Sequence, residues 1–511
     1  MSVPVAENES VERGAPTGAA GGLDADLKVA TKSALQLGGG LLGSWVIGLG
    51  IRLALPRFLG PEQFGILQFA DVFTTTVLIV TTLGADTYIR KEVVTRPAHA
   101  SEFFGGTLFL GVCLAALVLG IALPSLAAAG KPPLVLWMVL WMGLAQLVIN
   151  ANKLYAALLH AVGAVGGLAT LNVASKLLWA GGIALALSSG AGLIGVAQAM
   201  LLSELVRLIV IARLGRQHVD LSLRKNVDAT LKMLRASFPF FLAAVAQTVY
   251  ARIDVSILSF MANDTEVGWY GAAATIAGLS LLLSPIIAWV LLPLSSRAAA
   301  RSEEELVQVM RQAMAFVLLL AIPSSLAIWV SADVLILTAF GTAFEPAVHS
   351  LRILAPTFLL TYLAMVSASL LVRLERAWML TSISLAGMVI SPMLSLLLVP
   401  RFAARFGAGG AGMGAAWALT LTECFIAGSM TWQLRSRAFD RRSVALIGKT
   451  LALGLSVAIM DMAIRPLGVW RLPLDAIAYV GVGLLIGVID VAMLRRVART
   501  VRSRPPEVAA S

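Results

Sequence analysis

Long apolar runs recur along the chain, separated by short polar connections in which basic residues gather. They fall at 34–56, 64–89, 103–124, 133–155, 160–188 and 191–214 and, after a basic stretch, at 237–261, 267–294, 312–330, 347–372, 376–399, 410–434, 444–465 and 474–494. Each is close to the roughly 20 residues a helix needs to cross the hydrocarbon of a bilayer. Helices are predicted rather than strands, because an open strand edge in lipid leaves backbone groups without partners. The pattern predicts an all-α polytopic membrane protein with about 14 transmembrane helices.

Basic residues orient these spans. Of 39 Lys and Arg, 28 fall in the tails and the alternate connections of one side, and only Arg57, Lys131, Arg401, Arg405, Arg465 and Arg471 on the other. Both termini are therefore predicted to be cytoplasmic. Counting 331–346 as a further span would send the Arg-rich C-terminus outside, so this segment reads as an outer loop or half-helix. Residues 1–30 are polar and acidic, lack the apolar core of a signal peptide, and read as a disordered cytoplasmic tail. Residues 496–511 form a basic cytoplasmic tail.

An internal repeat organises the rest. Residues 190–206 align without gaps on 409–425, pairing Gly195 with Gly414 and Glu204 with Glu423, and 55–70 match 258–273 more weakly, pairing Gly65 with Gly268. Span 7 thus repeats span 1 in the same orientation. The expected architecture is two parallel six-helix bundles, 31–214 and 237–434, joined by a basic cytoplasmic linker at 215–236 and followed by two additional helices at 435–495. Two such bundles leave a cleft that rocking exposes to either side, which favours a transporter.

Composition agrees. The chain is 59% hydrophobic and only 13% charged, which excludes a soluble enzyme and a disordered protein. The net charge of +11 is mostly topogenic, so no nucleic-acid partner is expected and membrane lipid is. Gly38, Gly40 and Gly43 match a dinucleotide fingerprint but lie inside span 1, and Gly448-Lys449-Thr450 lacks the leading glycine of a phosphate loop, since position 443 is Ser443. Four scattered histidines and two cysteines inside apolar runs make no metal site. Neither catalytic residues nor a cofactor are expected.

Ionisable residues inside spans carry the functional signal, because each is costly in hydrocarbon. Arg52 near the outer end of span 1 either lines a cavity or snorkels to the interface, and Lys176 in the middle of span 5 is the deepest cation. Asp71, Thr75, Thr82 and Asp86 fall on one face of a continuous span 2, suggesting a wet wall. Glu204 and Arg207, three apart on span 6, either neutralise each other or meet substrate, and Glu423 has no such arginine beside it. Arg252 and Asp254 point to nearly opposite faces of span 7, so Arg252 is assigned to the cleft and Asp254 to a partner within the bundle. Arg252, Lys176, Arg52 and Arg207 are the candidate substrate-binding residues, and Asp71, Asp86, Asp254, Glu204 and Glu423 the candidates for ion coupling. So many cations suit an anionic substrate such as a phosphate or pyrophosphate headgroup.

The segments FLGPEQFGILQFAD (58–71), YARIDVSILSFMANDTEVGWYGAAA (250–274) and VLILTAFGTAFEPAVHSLRILAPTF (334–358) resemble, in order and spacing, the multidrug/oligosaccharidyl-lipid/polysaccharide exporter superfamily. Within it the chain is most similar to bacterial polysaccharide flippases of the O-antigen and exopolysaccharide type, and the resemblance covers nearly all of it from about residue 30. It implies a substrate of undecaprenyl-pyrophosphate-linked oligosaccharide, turned from the cytoplasmic to the periplasmic leaflet of the inner membrane, with basic cleft residues on the diphosphate. Arg252 matches the family's span 7 position, while Arg52 and Lys176 are carried over by location. A polysaccharide polymerase and chain-length or export proteins are the protein partners such a role implies. The alternative is a multidrug or cation antiporter of the same superfamily, which the acids of span 2 keep open.

Overall fold

The structure, a computed structural model, describes residues 19–93, 100–163, 166–218, 226–279, 294–434, 437, 439 and 441–487. Helices α1 (Ala19–Val77), α2 (Ala85–Glu92), α3 (Ala100–Ala128), α4 (Pro133–Ala161), α5 (Gly166–Ser188) and α6 (Gly192–His218) form the first half. The second half comprises α7 (Val227–Met261), α8 (Asp264–Leu279), α9 (Glu303–Val330), α10 (Ala332–Phe340), α11 (Ala347–Arg373), α12 (Ala377–Phe406) and α13 (Gly410–Leu434). Two further helices, α14 (Arg441–Ile464) and α15 (Arg471–Leu485), follow. No strand occurs among the described residues.

Ten helical stretches among the described residues are long and apolar enough to cross a membrane, and two of them, Gly43–Thr82 and Val444–Leu485, each contain two of the predicted spans. With α13 and the described part of the eighth span in α8, each of the fourteen apolar segments has most of its described residues in helix. The chain is an all-α polytopic membrane protein of two six-span bundles and two added helices. Segment 331–346 holds the nine-residue α10, too short to span. Helix starts earlier than expected at the N-terminus: residues 19–30, read as a disordered tail, are the first turns of α1, because their Ala, Leu and Lys residues extend a helix that the following span has already nucleated. Residues 227–236 of the expected linker are likewise the first turns of α7. The tails at 1–18 and 488–511 and linker residues 219–225 lie outside the described residues.

α1 is two helices joined at Gly60, where φ is 73° and ψ 171°. Glycine tolerates that positive φ, and Pro61, with no N–H to leave unbonded, starts the second span. Beside this turn the backbones of the two bundles come into close contact. A Cβ on Gly65 would lie 1.7 Å from the Asp264 carbonyl oxygen, and one on Gly268 would lie 1.9 Å from that of Pro61. These glycines are the pair that the internal repeat aligns, so the repeat is expressed as a crossing of α1 over α8. Around it one buried apolar cluster runs through both halves, including Phe64, Phe69, Leu258, Tyr270 and Phe344.

Elsewhere the halves keep to themselves: α1 packs on α4 and α5, and α4 on α6, while α11 packs on α9 and α13, and α7 on α12. α7 is the exception, because its first turns dock on α2 and α3, where the Ser237 hydroxyl donates to the Leu83 carbonyl at 2.8 Å. The added pair is pinned to the second bundle by charge. Arg471 meets Asp461 at 2.7 Å and Asp333 at 2.5 Å, and Arg437 meets Glu303 at 2.7 Å near the other end of α14.

Candidate functional site

Between the bundles lies a cavity of 1440 Å³. Its first wall is built by α1 and α5: Ser44, Gly48, Arg52 and Leu55 recur at helical spacing along one face of α1, and Lys176 and Trp179 project from α5. Its second wall is built by α7, α11 and α13, which contribute Gln247, Tyr250, Arg252 and Asp254, the face of α11 from Leu354 to Arg373, and Glu423. Asp71 and Gln68 close it toward the Gly60 end.

The cations of the cavity are not equivalent. Arg52 and Arg252 have no hydrogen-bond or ion-pair partner among the described residues, which leaves both forks open to a ligand. Lys176 lines the cavity and also leans on its own bundle, with its ammonium 3.9 Å from Glu204 Oε1 and 4.9 Å from the Trp179 ring. Arg207 stands behind this wall and does not line the cavity. Its guanidinium donates to Asn172 Oδ1 at 2.8 Å and lies 3.5 Å from Glu204 Oε2.

The carboxylates divide in the same way. Glu204 is buried outside the cavity lining, held by Asn152, which donates to its carboxylate at 2.9 Å, and by the two cations. Glu423, its repeat partner, lines the cavity and has no such cation among the described residues. Asp254 is 1% exposed and accepts from the Tyr270 hydroxyl and, at 2.9 Å, from the Val255 N–H, so its partner within the bundle is a phenol on α8.

The wet stripe expected on span 2 is interrupted. The helix tightens to a 3₁₀ turn over Leu78–Thr82 and breaks at Leu83, where φ is 54°, so Asp86 on α2 does not continue the face of Asp71 and does not line the cavity. The break is stabilised by α4: Asn150 donates to the Leu78 carbonyl at 3.2 Å and to Thr81 Oγ1 at 2.8 Å, and accepts from Gln146 at 3.0 Å. Side chains that recover freed backbone groups are what permit such a break at membrane depth.

One residue of the cavity lining and two of the seam at its Gly60 end escape a reading by sequence. Arg373 looks like loop charge, and its place on the lining is legible only in the i, i+4 run of Thr357, Thr361, Met365 and Ser369 that leads to it. Lys131 looks topogenic, yet it crosses between the bundles at the Gly60 end. Its ammonium donates to the Ser259 carbonyl and, at 2.8 Å, to Ser259 Oγ, and it lies 5.1 and 5.3 Å from the rings of Phe69 and Phe260. Burial lowers the Lys131 pKa and raises that of neighbouring Asp264, each shift opposed by the charge of the other. Arg57 donates to the Thr338 carbonyl at 3.3 Å across the same seam. The cavity is thus sealed at the Gly60 end by aromatic rings, close glycines and these two cations.

Comparison with known proteins agrees with this architecture. A family model described as polysaccharide biosynthesis protein matches residues 30–299. The probable low-salt glycan biosynthesis flippase Agl15 of Haloferax volcanii is 23% identical over 368 residues, covering 71% of this chain and 76% of that protein. Among solved structures, a lipid II flippase MurJ in an inward closed conformation superposes with a TM-score of 0.69 at 12% identity, covering 87% of this chain and 97% of the other. An inward-facing multidrug resistance MATE family transporter of the MOP superfamily gives a TM-score of 0.60 at 15% identity, covering 77% and 95%. At such identities the structural likeness is one of fold.

Proposed function

The chain belongs to the polysaccharide biosynthesis protein family, and from that premise we propose that it is a flippase for undecaprenyl-pyrophosphate-linked oligosaccharide repeat units in surface polysaccharide synthesis. The observation that carries the reading is the pair of guanidiniums without a partner among the described residues, Arg52 of the first bundle and Arg252 of the second, which line with Lys176 one cavity between the two bundles. Guanidinium matches phosphate geometry with two parallel hydrogen bonds and stays charged at any physiological pH, so these residues hold the diphosphate. The glycan occupies the remaining polar space, and the polyprenyl tail stays in lipid.

With the positive-inside orientation both termini are cytoplasmic, the membrane is the inner membrane, and the Gly60 end faces the periplasm. The arrangement sealed at that end is then the cytoplasm-facing one. Rocking of the two six-helix bundles about the α1/α8 crossing opens the seal and releases the headgroup outside. An inside-negative potential favours outward movement of an anion by about 2.3 kcal/mol per charge per 100 mV, enough to drive the step without ATP. A polymerase and chain-length or export proteins consume the product.

A second reading, a multidrug or cation antiporter, draws support from Asp71, Asp254 and Glu423, which line the same cavity. The two separate in a strain lacking the protein. The flippase reading expects a complete repeat unit to accumulate on its lipid carrier and surface polysaccharide to disappear, with Arg252→Ala failing to restore export despite normal expression. An unchanged lipid-linked pool with raised sensitivity to cationic drugs, restored by Arg252→Ala but not by Glu423→Gln, is the antiporter's signature and would overturn the first.

A further inference from the structure

Buried charge also collects away from the cavity, where α14 and α15 join. Arg352, Arg465 and Arg471 meet Asp333, Asp461 and Asp475 there, and none of the six lines the cavity. The cations are engaged. Arg471 lies 2.7 Å from Asp461 and 2.5 Å from Asp333 and donates to the Val330 carbonyl of α9 at 3.0 Å, while Arg352 is 3.8 Å from Asp333 and Arg465 3.8 Å from Asp461. Asp475 is left over. It follows Arg471 by one turn of α15 and is 5% exposed, yet no donor reaches either of its oxygens among the described residues and the ion pairs of the cluster pass it by. In hydrogen-bonding range of it stands the carboxylate of Asp461, itself fully buried.

Two ionised carboxylates are acceptors only, so this contact repels when both are charged and bonds when one carries a proton. A buried carboxylate with neither donor nor counter-ion is costly, and a shared proton removes that cost. We propose that Asp461 and Asp475 form a site for one proton, held between the two carboxyl groups at neutral pH and lying off the path of the substrate. In the positive-inside orientation the exposed connection 466–470 beside the pair is periplasmic, which gives the proton its access. The site goes beyond the flippase reading and does not depend on it. With the proton in place, Arg471 stays on Asp333 of α10; without it, a second charge one turn away on α15 draws the guanidinium off Asp333. α10 in turn meets the first bundle at the Gly60 end, where the Thr338 carbonyl accepts from Arg57. Proton occupancy therefore tightens the hold of the added helices on an element of the seal. The other charged groups facing the pair are Arg465 in the connection, Asp333 on α10 and Arg352 on α11.

The test is labelling of the full-length protein in phosphatidylcholine nanodiscs with dicyclohexylcarbodiimide, which adds to protonated carboxyl groups in apolar surroundings, read by peptide mass spectrometry. At neutral pH the wild type should take label at Asp461 or Asp475 and lose it as the pH is raised. Asp475→Asn and Asp461→Asn should each lower labelling of the remaining acid about tenfold, because coupled carboxyl groups hold their proton jointly. Asp333→Asn should leave the label in place. In a variant lacking Cys113 and Cys424, spin labels at the exposed Leu337 of α10 and Leu474 of α15 should report distances that broaden with rising pH, and Asp475→Asn should abolish that response. An unlabelled wild type, or Asp475 labelled as strongly in Asp461→Asn as in the wild type, would overturn the shared proton. Labelling blocked by sodium at constant pH would make the ligand a metal cation and overturn it too. A pH response of the spin labels that survives in Asp475→Asn would overturn the link to α10.

Discussion

Glu204 sits among Asn152, Arg207 and Lys176, whereas Glu423, at the equivalent position of the second half, faces the cavity with no cation beside it among the described residues. Removing one member of a buried charge network leaves the others uncompensated, at roughly 3–5 kcal/mol. Glu204→Gln should therefore lower the detergent-solubilised melting temperature clearly, by a loss near the lower end of that range because both cations are partly exposed. Glu423→Gln should leave the melting temperature nearly unchanged, and equal losses in the two variants would contradict this asymmetry. At this scale the sequence shows which residues are expensive in lipid and, from spacing, that Arg252 and Asp254 diverge. It leaves open whether Arg207 and Lys176 turn to a carboxylate or to the cavity, because that depends on Asn152 and Asn172 arriving from other helices.

Breaks and crossings decide the behaviour of the elements. Span 2 reads as one continuous helix, since no proline marks residues 78–84, yet it breaks at Leu83 because Asn150 supplies from α4 the bonds the backbone gives up. Asn150→Leu should cost about 1–3 kcal/mol by taking the Asn150 donor from Thr81 Oγ1, leaving the Leu78 carbonyl with the Thr81 hydroxyl alone, and removing the acceptor of Gln146, measurable as a lower melting midpoint. The crossing of α1 over α8 is more demanding, because backbone stands where a side chain at Gly65 or Gly268 would go. Gly65→Ala or Gly268→Ala should push the bundles apart at the Gly60 end and increase labelling of a cysteine placed at Phe260. Unchanged labelling in both would mean that the contact relaxes elsewhere. The repeat aligned these two glycines in the sequence, but their meeting follows from the pseudo-symmetric packing of the halves.

For the molecule as a whole, the proposed alternating access makes the seal at the Gly60 end the element that should set the balance between conformations. Lys131 is its one ammonium bridging from the first bundle to Ser259 of the second among the described residues. Lys131→Met keeps the aromatic contact and removes the charge-assisted bonds, and it should shift the population toward a form open at that end. In a variant lacking Cys113 and Cys424, spin labels at Ala129 and Ala262 should then report a larger share of long distances, and an unchanged distribution would exclude Lys131 from the latch. The sequence by itself determined the class, the fourteen apolar segments and the two-fold repeat, because lipid imposes length and apolarity on every span and the repeat is carried by residues such as Glu204 and Glu423. Only the tertiary structure decided which charges share a cavity: Arg373 joined it and Arg207 and Asp86 did not, since a side chain's exposure to the cleft depends on the rotation and breaking of its helix against neighbours on other helices, tens of residues away in the chain.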